Sequence, residues 1–276
     1  MRKVLSIAGS SSRGGAGMQA DLIPFQELEV YGMAAITAIV TISDQKGRHI
    51  FPQSLESLEA QVLTASERSD LDAIKTGMIY SEEQVQYVVD VTINQSIPRV
   101  IVDPVIVTKS GAEIVEKEAI HKLKNNLLPL ATIVTPNTPE AEKLSGLSRV
   151  DSVEKMKEAA NIIHSFGPKY VIVKGGRLTS KQAVDVLFDG KQYTLLATER
   201  IPTDTNGAGC TFSAAIAAEL SKGHSVFNSV KTAKEYITGA IAQSITFKGA
   251  SSRINHTAHR EIAKTHSPLT IASWFL

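Results

Sequence analysis

Asp204-Thr205-Asn206-Gly207-Ala208-Gly209-Cys210 reads as a glycine-punctuated loop that opens a helix and ends on a potential nucleophile or base. Gly207 and Gly209 let the backbone turn tightly and bring bare N–H groups against an anion. The run that follows, residues 211–220, has strong helix propensity, so its first N–H groups find no partner inside the helix. A helix N-terminus aimed at developing negative charge suits phosphoryl transfer. The same dipole predicts a lowered pKa for the Cys210 thiol.

Outward from this loop, short β-branched runs alternate with longer helical patterns. Residues 4–8, 35–42, 73–76, 100–102, 132–134 and 170–173 read as buried strands. Helical patterns cover 16–29, 55–65, 82–92, 117–127, 153–165, 210–221 and 225–246. This alternation predicts an α/β fold, a mainly parallel sheet with helices on both faces and right-handed crossovers. Residues 184–196 predict a hairpin turning at Asp189-Gly190, hence an antiparallel edge. Pro24, inside the first helical pattern, predicts a kink or a late helix start. Trp274 suggests that the tail docks. No Pro-, Gly- or Ser-rich linker divides the chain, so residues 1–276 are expected to form one domain.

Composition narrows the function classes. Basic and acidic side chains nearly balance, 29 against 28, leaving a net charge of +1. That gives no footprint for nucleic acid and no polybasic membrane patch. The longest apolar stretch, residues 33–42, falls far short of the roughly 18 residues a membrane-spanning helix needs. The apolar run at the N-terminus is too short for a signal peptide. A single cysteine excludes an internal disulfide framework and fits a reducing compartment. A cytoplasmic protein is expected.

The opening loop resembles the ribokinase-superfamily signature Asp-Thr-x-Gly-Ala-Gly-Asp, with Cys210 in place of the final Asp. That exchange marks the branch of hydroxymethylpyrimidine (phosphate) kinases and pyridoxal kinases. Further motifs of the branch follow in order. Gly9-Ser10-Ser11-Ser12-Arg13-Gly14-Gly15-Ala16-Gly17 and Met18-Gln19-Ala20-Asp21-Leu22 resemble its acceptor loop. Alone, this stretch is a glycine-rich loop lacking the dinucleotide fingerprint, and no Gly-Lys-[Ser/Thr] phosphate loop occurs in the chain. Lys75-Thr76-Gly77-Met78, Asp103-Pro104-Val105, Thr135-Pro136-Asn137 with Glu140-Ala141, and Lys174-Gly175-Gly176 are also similar to elements of the branch.

The resemblance implies a ribokinase-like three-layer sandwich with a small antiparallel edge. It also implies ATP- and Mg²⁺-dependent phosphorylation of the hydroxymethyl group of a vitamin ring, by a homodimer. Gly9, Ser10, Ser11, Asp21, Ile42, Gly77, Met78 and Val105 would meet the vitamin. Lys109, Lys174, Gly175, Thr205 and Gly207 would meet ATP. Asp103, Asn137 and Glu140 would serve the magnesium–phosphate network, as oxygen ligands suit Mg²⁺. Gly207, Ala208, Gly209 and Cys210 would hold and activate the reacting groups. The residues alone leave second meanings open: Asp21 as the exposed carboxylate of a helix-start loop, Asp103 as a strand-end cap, Asn137 as a helix cap. Lys109 and Lys174 also read as surface lysines, and Met78 as core.

Ile42 bears on the substrate. Hydroxymethylpyrimidine kinases carry a glutamine there to read the aminopyrimidine edge. An aliphatic side chain would leave that amine unpaired, at a cost of about 1–3 kcal/mol. Ile42 and the Gly-Ala-Gly-Cys form of the loop therefore lean towards pyridoxal, pyridoxine or pyridoxamine. Thr108, Asn206 and Ser11 depart from the pyridoxal kinase pattern. Hydroxymethylpyrimidine or its phosphate is the alternative, and a vitamer-binding relative without turnover is a further one. Cys210 as thiolate would take the hydroxyl proton or add to the aldehyde of pyridoxal.

Overall fold

A computed structural model describes residues 1–43, 45–67, 70–108, 111–203, 205–246, 252–258 and 270–275. The chain begins with β1 (Lys3–Ser11), α1 (Met18–Glu27), β2 (Tyr31–Ser43), β3 (Gly47–Pro52) and α2 (Leu55–Ser66). There follow β4 (Ala73–Thr76), α3 (Glu82–Asn94), β5 (Val100–Val102), α4 (Lys117–Lys122), β6 (Ile133–Val134), α5 (Thr138–Ser145) and α6 (Val153–His164). The last third holds β7 (Tyr170–Lys174), β8 (Gln182–Phe188), β9 (Gln192–Glu199), β10 (Thr205–Asn206), α7 (Ala208–Ser221), α8 (Val226–Ala242), β11 (Ser252–Arg253) and β12 (Thr270–Phe275).

One ten-stranded sheet has the spatial order β12-β9-β8-β7-β6-β5-β4-β1-β2-β3. The stretch from β2 to β7 is parallel, while β3 at one end and β8, β9 and β12 at the other are antiparallel. Strand alternation feeds two apolar layers. Leu5, Ile74, Val102, Val134 and Val173 face the layer that receives α2 to α6. Val4, Ala73, Ile101, Ile133 and Ile172 face the layer that receives α1, α7 and α8. The expected α/β sandwich is therefore present. The hairpin turns as expected, with Gly190 at φ 89° and the Asp189 carboxylate accepting from the Lys191 and Gln192 N–H groups.

Three expectations need correction. Pro24 neither delays nor breaks α1; the Ala20 carbonyl that lacks a proline N–H partner instead accepts from Thr211 Oγ1 of α7 at 3.5 Å. The helix expected over 117–127 changes winding after Lys122 into a π turn at Leu123–Leu127. Residues 243–246 fall outside α8. The tail docks, as its backbone forms β12 and pairs Trp274 with Tyr193. Among the described residues, no helix is long and apolar enough to cross a membrane.

Candidate active site

Parallel pairing brings the carboxyl ends of β1, β2, β4, β5, β6 and β7 to one edge, and the order reverses between β1 and β4. Such an edge is where open α/β sheets take their ligands. A cavity of about 640 Å³ opens there, and its lining includes Asp103, Val105, Asn137, Glu140, Lys174, Thr205 and the loop Gly207 to Cys210. Ten of the residues expected at the site thus meet in one recess. Lys109 and Asp204 lie outside the described residues.

The floor of the recess is the N-terminus of α7. Its N-cap Gly207 sits at φ 90° and supplies no side-chain cap. The first helical amides therefore face the recess without the oxygen that usually satisfies them. A Cβ on Gly207 would stand 2.0 Å from the Gly15 carbonyl oxygen, so only glycine permits this approach of the two loops. A Cβ on Gly209 would stand 3.1 Å from Lys174 Nζ, which places that ammonium against the same amides.

Asp103 follows β5 and is almost wholly buried. Its Oδ1 accepts from Lys174 Nζ at 2.8 Å and from Thr135 Oγ1 at 2.9 Å, and its Oδ2 accepts from Ser213 Oγ at 3.2 Å. Burial alone would raise its pKa, but Lys174 and Lys75 outweigh burial and hold it below the usual carboxylate range. Asn137 and Glu140 form a reciprocal capping box at the start of α5: the Glu140 N–H donates to Asn137 Oδ1 at 3.0 Å and the Asn137 N–H donates to Glu140 Oε2 at 2.8 Å. The cap reading of Asn137 is thus met, and the cap also lines the recess. Burial pushes Glu140 up to about 8, against the pull of Lys174 and with Asp103 adding to the rise.

These oxygens fit a magnesium ion bound through phosphate. Two carboxylates share a buried wall, and Glu140 Oε1 takes no hydrogen bond among the described residues. No self-contained cluster of three or more His, Cys, Asp or Glu ligands occurs among them.

Cys210 is half-buried at the recess wall, where the Gly17 N–H hydrogen-bonds its sulfur. The expected low thiol pKa is not found. Burial pushes the thiol up to about 11; Lys75 opposes the rise, and Asp103 and Asp21 add to it. Desolvation is the largest cause of the rise.

The vitamin-side residues divide. Gly9 occupies a register shift in β1, and a Cβ there would stand 2.9 Å from Met78 Cε. Ser10 Oγ accepts from Gln19 Nε2 at 2.8 Å and the Ser11 N–H donates to Gln19 Oε1 at 3.0 Å. Gly77 and Met78 follow β4 directly, and Ile42, on β2 beyond the Ser11–Val40 pair, is 37% exposed. These six gather at adjoining strand ends beside the recess rather than in its lining. Asp21 needs correction: it is fully buried, with both oxygens 2.9 Å from Lys75 Nζ and one 2.6 Å from Ser6 Oγ. A carboxylate so enclosed has no face for a ligand. Gly175 is likewise buried, its N–H donating to Asp185 Oδ1 at 2.9 Å, and Gly176 takes its place in the lining.

Sequence reading missed the far end of the recess. Ile201, Phe212, Ile237 and Ile241 form an apolar sleeve beside Asp185 and Lys234. Lys234 Nζ donates to Asp185 Oδ2 at 2.8 Å and to the Ala183 carbonyl at 3.0 Å. The signal was present: Lys234 falls within the apolar stripe Val230, Ala233, Ile237 and Ile241 of a helix, where a lysine needs a buried partner.

Bare amides, a lysine and carboxylates around one pocket, with an apolar sleeve behind them, match what moving a phosphoryl group from a nucleotide requires. Fold and site together define the class: an α/β small-molecule kinase. The model of the phosphomethylpyrimidine kinase family matches residues 11–255, and the chain belongs to that family. It is 42% identical over 264 residues to a pyridoxine kinase of Bacillus subtilis, covering 94% of this chain and 97% of that one. It is 37% identical over 267 residues to a hydroxymethylpyrimidine/phosphomethylpyrimidine kinase of Haemophilus influenzae, covering 95% and 99%. The Staphylococcus aureus pyridoxal kinase in complex with AMP-PCP and pyridoxal superposes with a TM-score of 0.90 at 38% identity, covering 100% of this chain and 99% of that one.

Proposed function

We propose that this kinase transfers the γ-phosphoryl group of ATP to the hydroxymethyl group of a B6 vitamer: pyridoxal, pyridoxine or pyridoxamine. The observation that carries the reading is the uncapped N-terminus of α7 opening beside the Lys174–Asp103 pair. Ile42 and the Gly-Ala-Gly-Cys form of the loop favour a pyridine ring over an aminopyrimidine.

The Gly207, Ala208 and Gly209 amides would hold the transferring group, and Lys174 would neutralise its charge while Asp103 fixes the lysine in place. Asn137 and Glu140, with Asp103 behind them, would hold Mg²⁺, which supplies Lewis-acid polarisation of the phosphate oxygens. The sleeve of Ile201, Phe212, Ile237 and Ile241 would take the nucleotide base. A thiol pushed up to about 11 keeps its proton at neutral pH, so Cys210 is not a ready base. The role we assign it is addition to the pyridoxal aldehyde, a reversible step that the small ionised fraction can carry. Sulfur then bonds to the carbonyl carbon, and the thiol proton passes to the carbonyl oxygen. The homodimer belongs to the same proposal; light scattering tests it, and a monomer mass overturns it.

The deciding experiment compares ADP release with pyridoxal, pyridoxine and hydroxymethylpyrimidine at equal enzyme, ATP and Mg²⁺. Turnover with the two pyridines and little with the pyrimidine is expected. Turnover confined to hydroxymethylpyrimidine would place the chain among the pyrimidine kinases instead.

A further inference from the structure

The chain between β7 and β8 turns three carbonyl oxygens towards one place. Those of Gly176, Ser180 and Gln182 all accept from the Arg200 guanidinium: Nη1 donates to Gly176 at 2.7 Å, Nε to Ser180 at 2.7 Å and Nη2 to Gln182 at 3.4 Å. Register explains the meeting. Gln182, which opens β8, pairs with Glu199, the last residue of β9. Arg200 follows, and its own N–H donates to the Lys181 carbonyl at 3.0 Å.

Backbone carbonyls gathered at one spot need a donor among them. The guanidinium fork offers donors on three separate nitrogens, whereas a lysine concentrates its donors on one atom. A charged donor also makes each bond roughly twice as strong as a neutral one. The loop so gathered borders the recess. Gly176, Arg177, Arg200 and Ile201 belong to its lining, and Ile201 is part of the apolar sleeve. Where the loop leaves β7 it is anchored to the site, since Lys174 pairs with Asp103 and the Gly175 N–H donates to Asp185 Oδ1 at 2.9 Å. Beyond Gly175, the Arg200 bonds join its near end to its far end.

We infer that Arg200 is a positioning residue for the nucleotide: through three backbone carbonyls it holds residues 176–182 where they wall the sleeve. Without the fork these carbonyls turn to water, and a nucleotide must then recruit the loop from an open population. The inference deepens the proposed kinase function and rests on its placing of the nucleotide base in the sleeve.

Two variants and two measurements test it. Arg200→Lys keeps the charge and loses the fork, while Arg200→Ala loses both. Arg177 and Lys181 lie in the loop and are trypsin sites, so fragments ending there report its opening without ligand or turnover. Cleavage that tracks the open population is expected to be about tenfold faster in both variants than in wild type. The calorimetric Kd for AMP-PCP with Mg²⁺ is expected to rise about tenfold in both, as for a loop in place only about a tenth of the time. KM for the vitamer should keep its wild-type value. An Arg200→Lys variant that binds AMP-PCP as wild type does would mean that charge alone acts, which overturns the inference. Faster cleavage with unchanged affinity overturns it too. A variant that is merely less stable would be cleaved faster throughout the chain and would bind the vitamer more weakly as well, and that result also rejects it. Should Arg200→Ala lose its fold by circular dichroism, Arg200→Lys decides by the same two readings. A wild type that binds no AMP-PCP sinks the proposed function, whereas wild-type binding matched by both variants sinks this inference alone.

Discussion

Glu140 caps the start of α5 and lines the recess with the same side chain, and its ionisation links the two roles. Its folded-state pKa of about 8 stands above the ordinary value of 4.5, mainly through burial. Between those values the folded chain binds a proton that the unfolded chain has released. The Glu140 contribution to stability is therefore full below pH 4.5 and is lost as pH rises through about 8. Ligand-free wild type should lose stability across this window relative to Glu140→Gln, which keeps an oxygen for the cap. Urea midpoints at both ends of the window check this; parallel pH dependences would contradict it. Cys210→Ala tests the thiol. As an aldehyde anchor its loss should raise KM for pyridoxal about tenfold, equal to about 1.4 kcal/mol, and leave pyridoxine untouched. A fall of about 10²-fold or more in kcat for both vitamers would restore it as the base. Asp103, Asn137 and Lys174 were legible in the sequence because each is polar and stands at or just after the end of an apolar strand, and Glu140 because it lies three positions after Asn137 at the start of a helix. Asp21 was misread because its partner Lys75 lies on a different element, 54 positions along the chain, and no local pattern announces a pairing across that gap. Asp185 and Lys234, 49 positions apart, escaped for the same reason.

At the scale of elements, α7 carries the most consequence. Eleven of its fourteen residues are buried, so packing fixes its axis and leaves its uncapped end to the ligand. Gly207→Ala would face both a φ of 90° and a Cβ 2.0 Å from the Gly15 carbonyl oxygen. It should destabilise the fold by about 1–3 kcal/mol. It should also lower kcat by about 10²-fold, as the amides move from their place. Gly223→Ala is the control, because φ there is 92° but nothing lies within 4 Å of the added carbon. Thermal melts should show the larger destabilisation for Gly207→Ala, which adds the clash to the strain both variants share, and kcat should fall only there; equal losses of activity would mean that the Gly207–Gly15 approach has no catalytic part. The buried strands β5 and β6 were legible because they are covered on both faces and read as unbroken apolar runs, and β4 was legible from Ala73-Ile74 although Lys75 and Thr76 interrupt its run. By contrast, β3, Gly-Arg-His-Ile-Phe-Pro, is an exposed edge strand that exists by pairing with β2, and its sequence carries no strand periodicity. The pairing of β12 with β9 joins residues far apart in the chain, which only the finished sheet defines.

Across the whole molecule, one sheet separates two apolar layers, and the site draws on residues from Gly9 near one end of the chain to Ile241 near the other. We therefore propose that residues 1–276 form one cooperative domain. Thermal unfolding should then follow a single transition, the same by tryptophan fluorescence and by far-ultraviolet circular dichroism. Binding confined to the folded state stabilises it by about 2.7 kcal/mol when free ligand stands at 100 times its Kd. For a chain of this size that corresponds to a rise in Tm of roughly 5 °C or more. A non-hydrolysable ATP analogue with Mg²⁺ should move the entire transition upward, and pyridoxal should move it further, because the two ligands occupy neighbouring strand ends of one sheet. Two separate transitions, with the nucleotide shifting only one, would divide the chain into independent units. Such a split would also remove the reason that Asp103 after β5, Lys174 on β7 and the first amides of α7 can act as a fixed set.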